Sequence, residues 1–220
     1  MLSKVIKITI ALLFIPIAIA ATRAFFGSLD SLAFVNINSF LLIGGFFAYP
    51  VFRIVFVKPT YFYALGHEVV HVLATWLCGG KVTSFHVSQR GGEVTTTKTN
   101  SFIRLSPYFV PIHAIFLSMV YAALFSILNL SRFFNEFLFL MGFTIGLHIF
   151  MTIETMKTSQ PDIMKTGYFF SVLFIYVANI FVLISILSVI SKQISFVNFV
   201  KNTFVLSKDI YLSFFGKLFT

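Results

Sequence analysis

Residues 61–77 read Tyr61-Phe62-Tyr63-Ala64-Leu65-Gly66-His67-Glu68-Val69-Val70-His71-Val72-Leu73-Ala74-Thr75-Trp76-Leu77. A run this long and this apolar predicts a helix, and its only carboxylate and imidazole groups are His67, Glu68 and His71. Residues four apart share a helix face, so His67 and His71 can offer two imidazoles to one metal ion. Glu68, adjacent to the first histidine, does not reach the same position easily. It is placed to take a proton from a water that the ion activates. An ionisable residue at a bilayer centre costs about 2.5–3.5 kcal/mol. A glutamate between two histidines in mid-stretch is therefore read as chemistry, not packing.

The surrounding composition sets the solvent. Of 220 residues, 58% are hydrophobic and 10% charged, with 31 phenylalanines; soluble domains carry about a quarter charged residues. No soluble core of this size hides so much apolar surface. The formal charge of +9 is spread singly along the chain. The basic stripe of a nucleic-acid binder is missing, so no nucleic-acid partner is expected. Arg23, Arg53, Lys58, Arg104, Arg132, Lys157, Lys165 and Lys192 instead flank apolar stretches, where they suit anionic lipid headgroups of the bilayer. One cysteine, Cys78, excludes an internal disulfide framework.

Apolar stretches of spanning length fall at about 5–22, 38–57, 60–78, 101–129, 133–153 and 167–190, since about 20 residues cross a bilayer. The expected fold is an all-α polytopic membrane protein with about six transmembrane helices, in one domain over 1–220. The first stretch follows Lys4 and Lys7 and closes on Ala18-Ile19-Ala20, as a signal peptide does; an uncleaved first span is favoured. The tail at about 195–220 mixes Phe199, Phe204, Tyr211 and Phe214 with Lys201, Lys208 and Lys217 and reads as an interfacial amphipathic helix. One segment breaks the helical pattern. Residues 81–98 hold two β-prone runs around Gly91-Gly92, predicting a small hairpin directly after the histidine helix.

Two histidines need a third protein ligand if the metal is catalytic zinc, the ion that imidazole and carboxylate donors suit. His86, Glu93, His113, Glu136, His148, Glu154 and Asp162 all carry suitable chemistry, and spacing does not choose among them.

The chain here resembles the site-2 protease family of intramembrane zinc metalloproteases. The likeness rests on His67-Glu68-Val69-Val70-His71, on Cys78-Gly79-Gly80-Lys81-Val82, on the polar hairpin with Gly91-Gly92, and on Leu105-Ser106-Pro107-Tyr108. It extends to Gln160-Pro161-Asp162-Ile163-Met164-Lys165-Thr166-Gly167, which fits the family's downstream aspartate motif loosely. The resemblance covers roughly residues 60 to 185, within an expected metalloprotease core at about 60–190. It implies zinc on His67, His71 and Asp162, Glu68 as the base, and hydrolysis of peptide bonds in the membrane-spanning segment of another protein. An integral, multi-pass location, in the plasma membrane, goes with it. If the last four stretches each crossed once, Asp162 would stand about 10 Å in depth from the histidines, at 1.5 Å rise per residue. His148 and Glu154, at similar depth, are the fallback ligands. The alternative reading is a catalytically silent zinc-binding scaffold or inhibitor of the same fold, for which the base would be superfluous.

Overall fold

The computed structural model describes residues 4–29, 37–56, 59–128, 130–158 and 160–216; the expected span-edge Lys58 and the tail's Lys217 lie outside them. The helices are α1 (Lys4–Leu29), α2 (Ile37–Val55), α3 (Thr60–Leu77), α4 (Ser101–Leu105), α5 (Ile112–Leu128), α6 (Phe134–Met156), α7 (Pro161–Thr166), α8 (Tyr168–Ile190) and α9 (Phe196–Gly216). Between α3 and α4 lie strands β1 (Val82–Ser88) and β2 (Gly91–Thr96), paired antiparallel.

Among the described residues, four helical segments are long and apolar enough to cross a membrane: Val5–Leu29, Ile37–Val55, Leu130–Met156 and Tyr168–Ile190. A fifth arises if Ser101–Tyr108 and Ile112–Phe125, bent by 69°, form one broken span. The architecture is that of a helical, multi-pass membrane protein with a small hairpin. The third expected stretch, 60–78, forms α3 but is not among these spans. The polar groups at its middle dilute its apolar character. The stretch at 101–129 is continuous in composition but breaks near Pro111, which has no N–H to extend the helix.

The chain falls into two compact units, residues 34–162 and residues 1–33 with 163–220. In the first, α2 and α6 pack along their length through glycines. A Cβ on Gly142 would sit 2.9 Å from the backbone of Leu42 and Phe46, and one on Gly146 2.6 Å from the Phe46 carbonyl. Gly45 answers from α2, with the Phe143 amide 3.0 Å from where its Cβ would be. The Gly142-to-Gly146 face thus lets two backbones meet, as small residues do between membrane helices. Arg53 of α2 and Glu154 of α6 form an ion pair beside this seam.

Helix α3 ends at Gly79, whose φ of +69° is the left-handed cap conformation. The Gly80 amide donates to Thr75 O at 2.8 Å and the Gly79 amide to Trp76 O at 2.9 Å, the paired bonds of a Schellman cap. The chain then turns directly into the hairpin. Val82 pairs with Thr96 and Ser88 with Gly91, so Gln89 and Arg90 make the turn and the glycine pair opens β2. The expected hairpin is present, with its glycines one step later than the turn.

In the second unit, α1 presents an alanine-rich face. Ala21 and Ala24 pack with Ile180 and Ile184 of α8 and with Ile194 and Phe199. Helix α9 runs antiparallel along α1: Phe199 meets Ala24 near one end, and the Tyr211 hydroxyl donates to the Leu13 carbonyl near the other. Its buried side chains include Thr203 and Ser207, while Phe204 and Leu212 are exposed. The expected tail helix is therefore docked lengthwise on α1.

Candidate metal centre

One donor atom from each of His67, His71 and Asp162 lies within 4.8 Å of the other two. The two histidines come from consecutive turns of α3, with ring centroids 5.0 Å apart. Asp162 stands in the first turn of α7, directly after Pro161. Its Oδ2 lies 3.3 Å from His71 Nε2. The depth separation expected from four straight crossings is absent. Residues 101–125 are sharply bent, and Asp162 arrives on a separate short helix, α7, that starts at Pro161 after α6 has ended at Met156.

Each histidine is held by its surroundings. His71 Nδ1 donates to the Ile103 carbonyl at 2.9 Å, which turns Nε2 toward Asp162. The Ile103 amide donates to Asn100 Oδ1 at 2.8 Å, so that one peptide unit is fixed at both ends. The His67 ring is met edge-on by Tyr108 at 5.0 Å and lies 5.8 Å from the ring of Tyr63. His67 Nδ1 is buried with no hydrogen-bond partner among the described residues. Leaving a buried polar atom unmatched is costly, and an ion at this place would relieve it. Two imidazoles and one carboxylate are also the donor set of catalytic zinc sites, which leave a fourth position open. The residues fit a metal.

Glu68 is 7% exposed. The backbone of Gly92 lies against its carboxyl group; a Cβ there would come within 2.9 Å of Cδ and Oε1. His71, Asp162 and Glu93 act on it electrostatically. The hairpin thus closes over the glutamate without blocking it, because residue 92 has no side chain.

The other candidates lie elsewhere. Glu154 is engaged by Arg53. His113 donates from Nε2 to the Phe62 carbonyl at 3.1 Å, and its ring lies 4.2 Å from that of Phe62, tilted by 37°. His86 is exposed on β1, across the strand from Glu93. Glu136 is exposed in the first turn of α6. His148, the remaining fallback, is buried in α6 and acts on His67 electrostatically, but it is outside the three-residue group. Sequence reasoning missed the roles of Ile103, Asn100 and Gly92. Their contributions are a carbonyl, a cap and an absence of side chain, none of which a residue pattern signals.

Fold and site together define a helical protein with membrane-length helices carrying a His-His-Asp donor group and a glutamate next to its first histidine. Comparison of the chain with protein-family models, with curated proteins and with solved structures finds no match.

Proposed function

We propose that this chain is an intramembrane zinc metalloprotease of the site-2 protease type, hydrolysing peptide bonds in membrane-spanning segments of other proteins. The observation that carries the reading is the convergence of His67, His71 and Asp162 to within 4.8 Å, with Glu68 on the same helix as the histidines. Such a group, built from a helix and a residue about ninety positions downstream, has no role in packing that an apolar residue would not fill better.

Zinc held by these three side chains would supply Lewis-acid polarisation of the scissile carbonyl and an acidified water. Glu68 accepts that proton and delivers it to the leaving amine, the work of a general base and then acid. Its burial suits the task, because a carboxylate shielded from bulk water holds a proton more readily than an exposed one. The Ile103 carbonyl keeps His71 in one tautomer, so that its Nε2 stays available as a donor. The substrate must be extended at the point of attack, since a helix keeps its carbonyls in its own hydrogen bonds. The hairpin offers a strand edge for it. The plasma membrane is the proposed location.

The test is zinc content by elemental mass spectrometry on the detergent-purified chain, together with cleavage of a membrane-spanning peptide. About one zinc per chain, lost in His67→Ala and Asp162→Ala and kept in Glu154→Ala, with cleavage lost in Glu68→Gln, supports the reading. Zinc without cleavage in the wild type would point to the silent scaffold. Zinc that survives Asp162→Ala would remove the third ligand.

A further inference from the structure

Far in sequence from the donor group, α1, α8 and α9 enclose an open cavity of about 520 Å³, within the 300–1,000 Å³ common to small-molecule sites. Ile17, Phe181, Val200 and Phe204 form its apolar wall. At its side, Thr203 is 5% exposed, and its Oγ1 is buried with no hydrogen-bond partner among the described residues. Lys208 lines the same cavity about one turn further along α9, followed by Tyr211. No acidic side chain is among the described residues that line it. The adjacent Asp209 faces a different recess, shared with Arg23.

We propose that this cavity binds an anionic phospholipid of the surrounding bilayer, its acyl chain along the apolar wall and its headgroup phosphate on Lys208. Three observations converge on this occupant. An apolar trough beside two membrane-length helices suits a hydrocarbon chain, and Phe204, 70% exposed, leaves it open from the side. An ammonium carried along such a surface is unfavourable unless an anion or water meets it, and the cavity wall supplies no anion. The unmatched Thr203 hydroxyl lies five residues from Lys208, about 7.5 Å along the helix. That separation suits a donor to an ester carbonyl below the phosphate. Free phosphate would leave the apolar wall unused, and the choline of a zwitterionic lipid would offset the attraction of its phosphate to Lys208, which a net-anionic headgroup keeps in full.

The experiment is native mass spectrometry of the full detergent-solubilised chain titrated with phosphatidylglycerol or with phosphatidylcholine of the same acyl chains. The wild type is expected to bind phosphatidylglycerol about fivefold more tightly, the preference that one basic side chain confers. Lys208→Gln brings the two lipids level, and Val200→Trp, which fills the trough, weakens both. Lys201→Gln, on the same helix but outside the lining, leaves the preference intact, and inorganic phosphate does not compete. Equal binding of the two lipids by the wild type overturns the proposal. So does a preference that survives Lys208→Gln, or one that Lys201→Gln abolishes equally, because either marks unspecific lipid contact. Lys208 is exposed, so its variant tests the idea even if Val200→Trp fails to fold.

Discussion

Gly92 of the hairpin lies against the carboxyl group of Glu68, with room for a hydrogen and none for a methyl group. A Cβ at residue 92 would meet the far end of a flexible side chain, so the clash is relieved by moving Glu68 and not by unfolding the hairpin. Gly92→Ala is therefore expected to leave zinc content and thermal stability near wild type while lowering peptide cleavage about 100-fold, the effect of a displacement on the order of 1 Å in a catalytic group. Gly91 has open space around it but a φ of +134°. Gly91→Ala should instead strain the backbone by about 1–3 kcal/mol and lower the melting temperature. Similar effects of the two variants on cleavage would sink this account of Gly92.

The Ile103 peptide links Asn100 to His71, accepting from one side and donating to the other. Removing the cap with Asn100→Ala should cost about 1 kcal/mol of local stability. It should also weaken zinc binding about tenfold, since groups that orient a metal-binding histidine carry effects of that size. Competition with a chromogenic zinc chelator reads the affinity; an unchanged value would mean that His71 is oriented without Ile103.

The glycine seam between α2 and α6 makes a sharper stability test. Gly142→Ala pushes a methyl group onto the backbone of Leu42 and Phe46, and overpacking of this kind costs about 1–3 kcal/mol. Gly44, on the same helix as Gly45, faces open space, so Gly44→Ala should be neutral or slightly stabilising because alanine favours the helix. Thermal unfolding of both variants in one detergent gives the comparison. Equal melting temperatures would show that the helices do not pack backbone to backbone.

Arg53 and Glu154 join the same two helices by an ion pair whose side chains are about one-third exposed. Partial exposure limits its strength to about 1 kcal/mol. Arg53→Met and Glu154→Gln, singly and together, should reveal a coupling of that order by thermal unfolding, with zinc content unchanged in all three. Loss of zinc in Glu154→Gln would return this residue to the ligand set.

Much of this is legible in the sequence. The four-residue spacing of His67 and His71 forces both onto one face of any helix that contains them. The β-branched runs on either side of residues 89–92 had no better partner than each other. The Gly142 and Gly146 face follows from small residues four apart. The stretch at 60–78 has spanning length and apolar flanks, but its own polar centre lowers its apolar character below that of the membrane-length helices. The tail read as a helix, but its docking on α1 depends on Thr203 and Ser207 turning inward, and hydroxyls do not announce which way they face.

The sequence by itself determined the membrane character, the helical class, the hairpin and two of the three donors, because each follows from local periodicity or from the cost of putting a given side chain in lipid. Only the tertiary structure shows that Asp162, of the seven candidates, is the one grouped with the two histidines, that Glu154 pairs with Arg53, and that Gly92 makes space for Glu68. The reason is physical. A bend after residue 108 and the start of a new short helix at Pro161 set where Asp162 arrives, and these depend on how whole helices pack, which no spacing between two residues encodes.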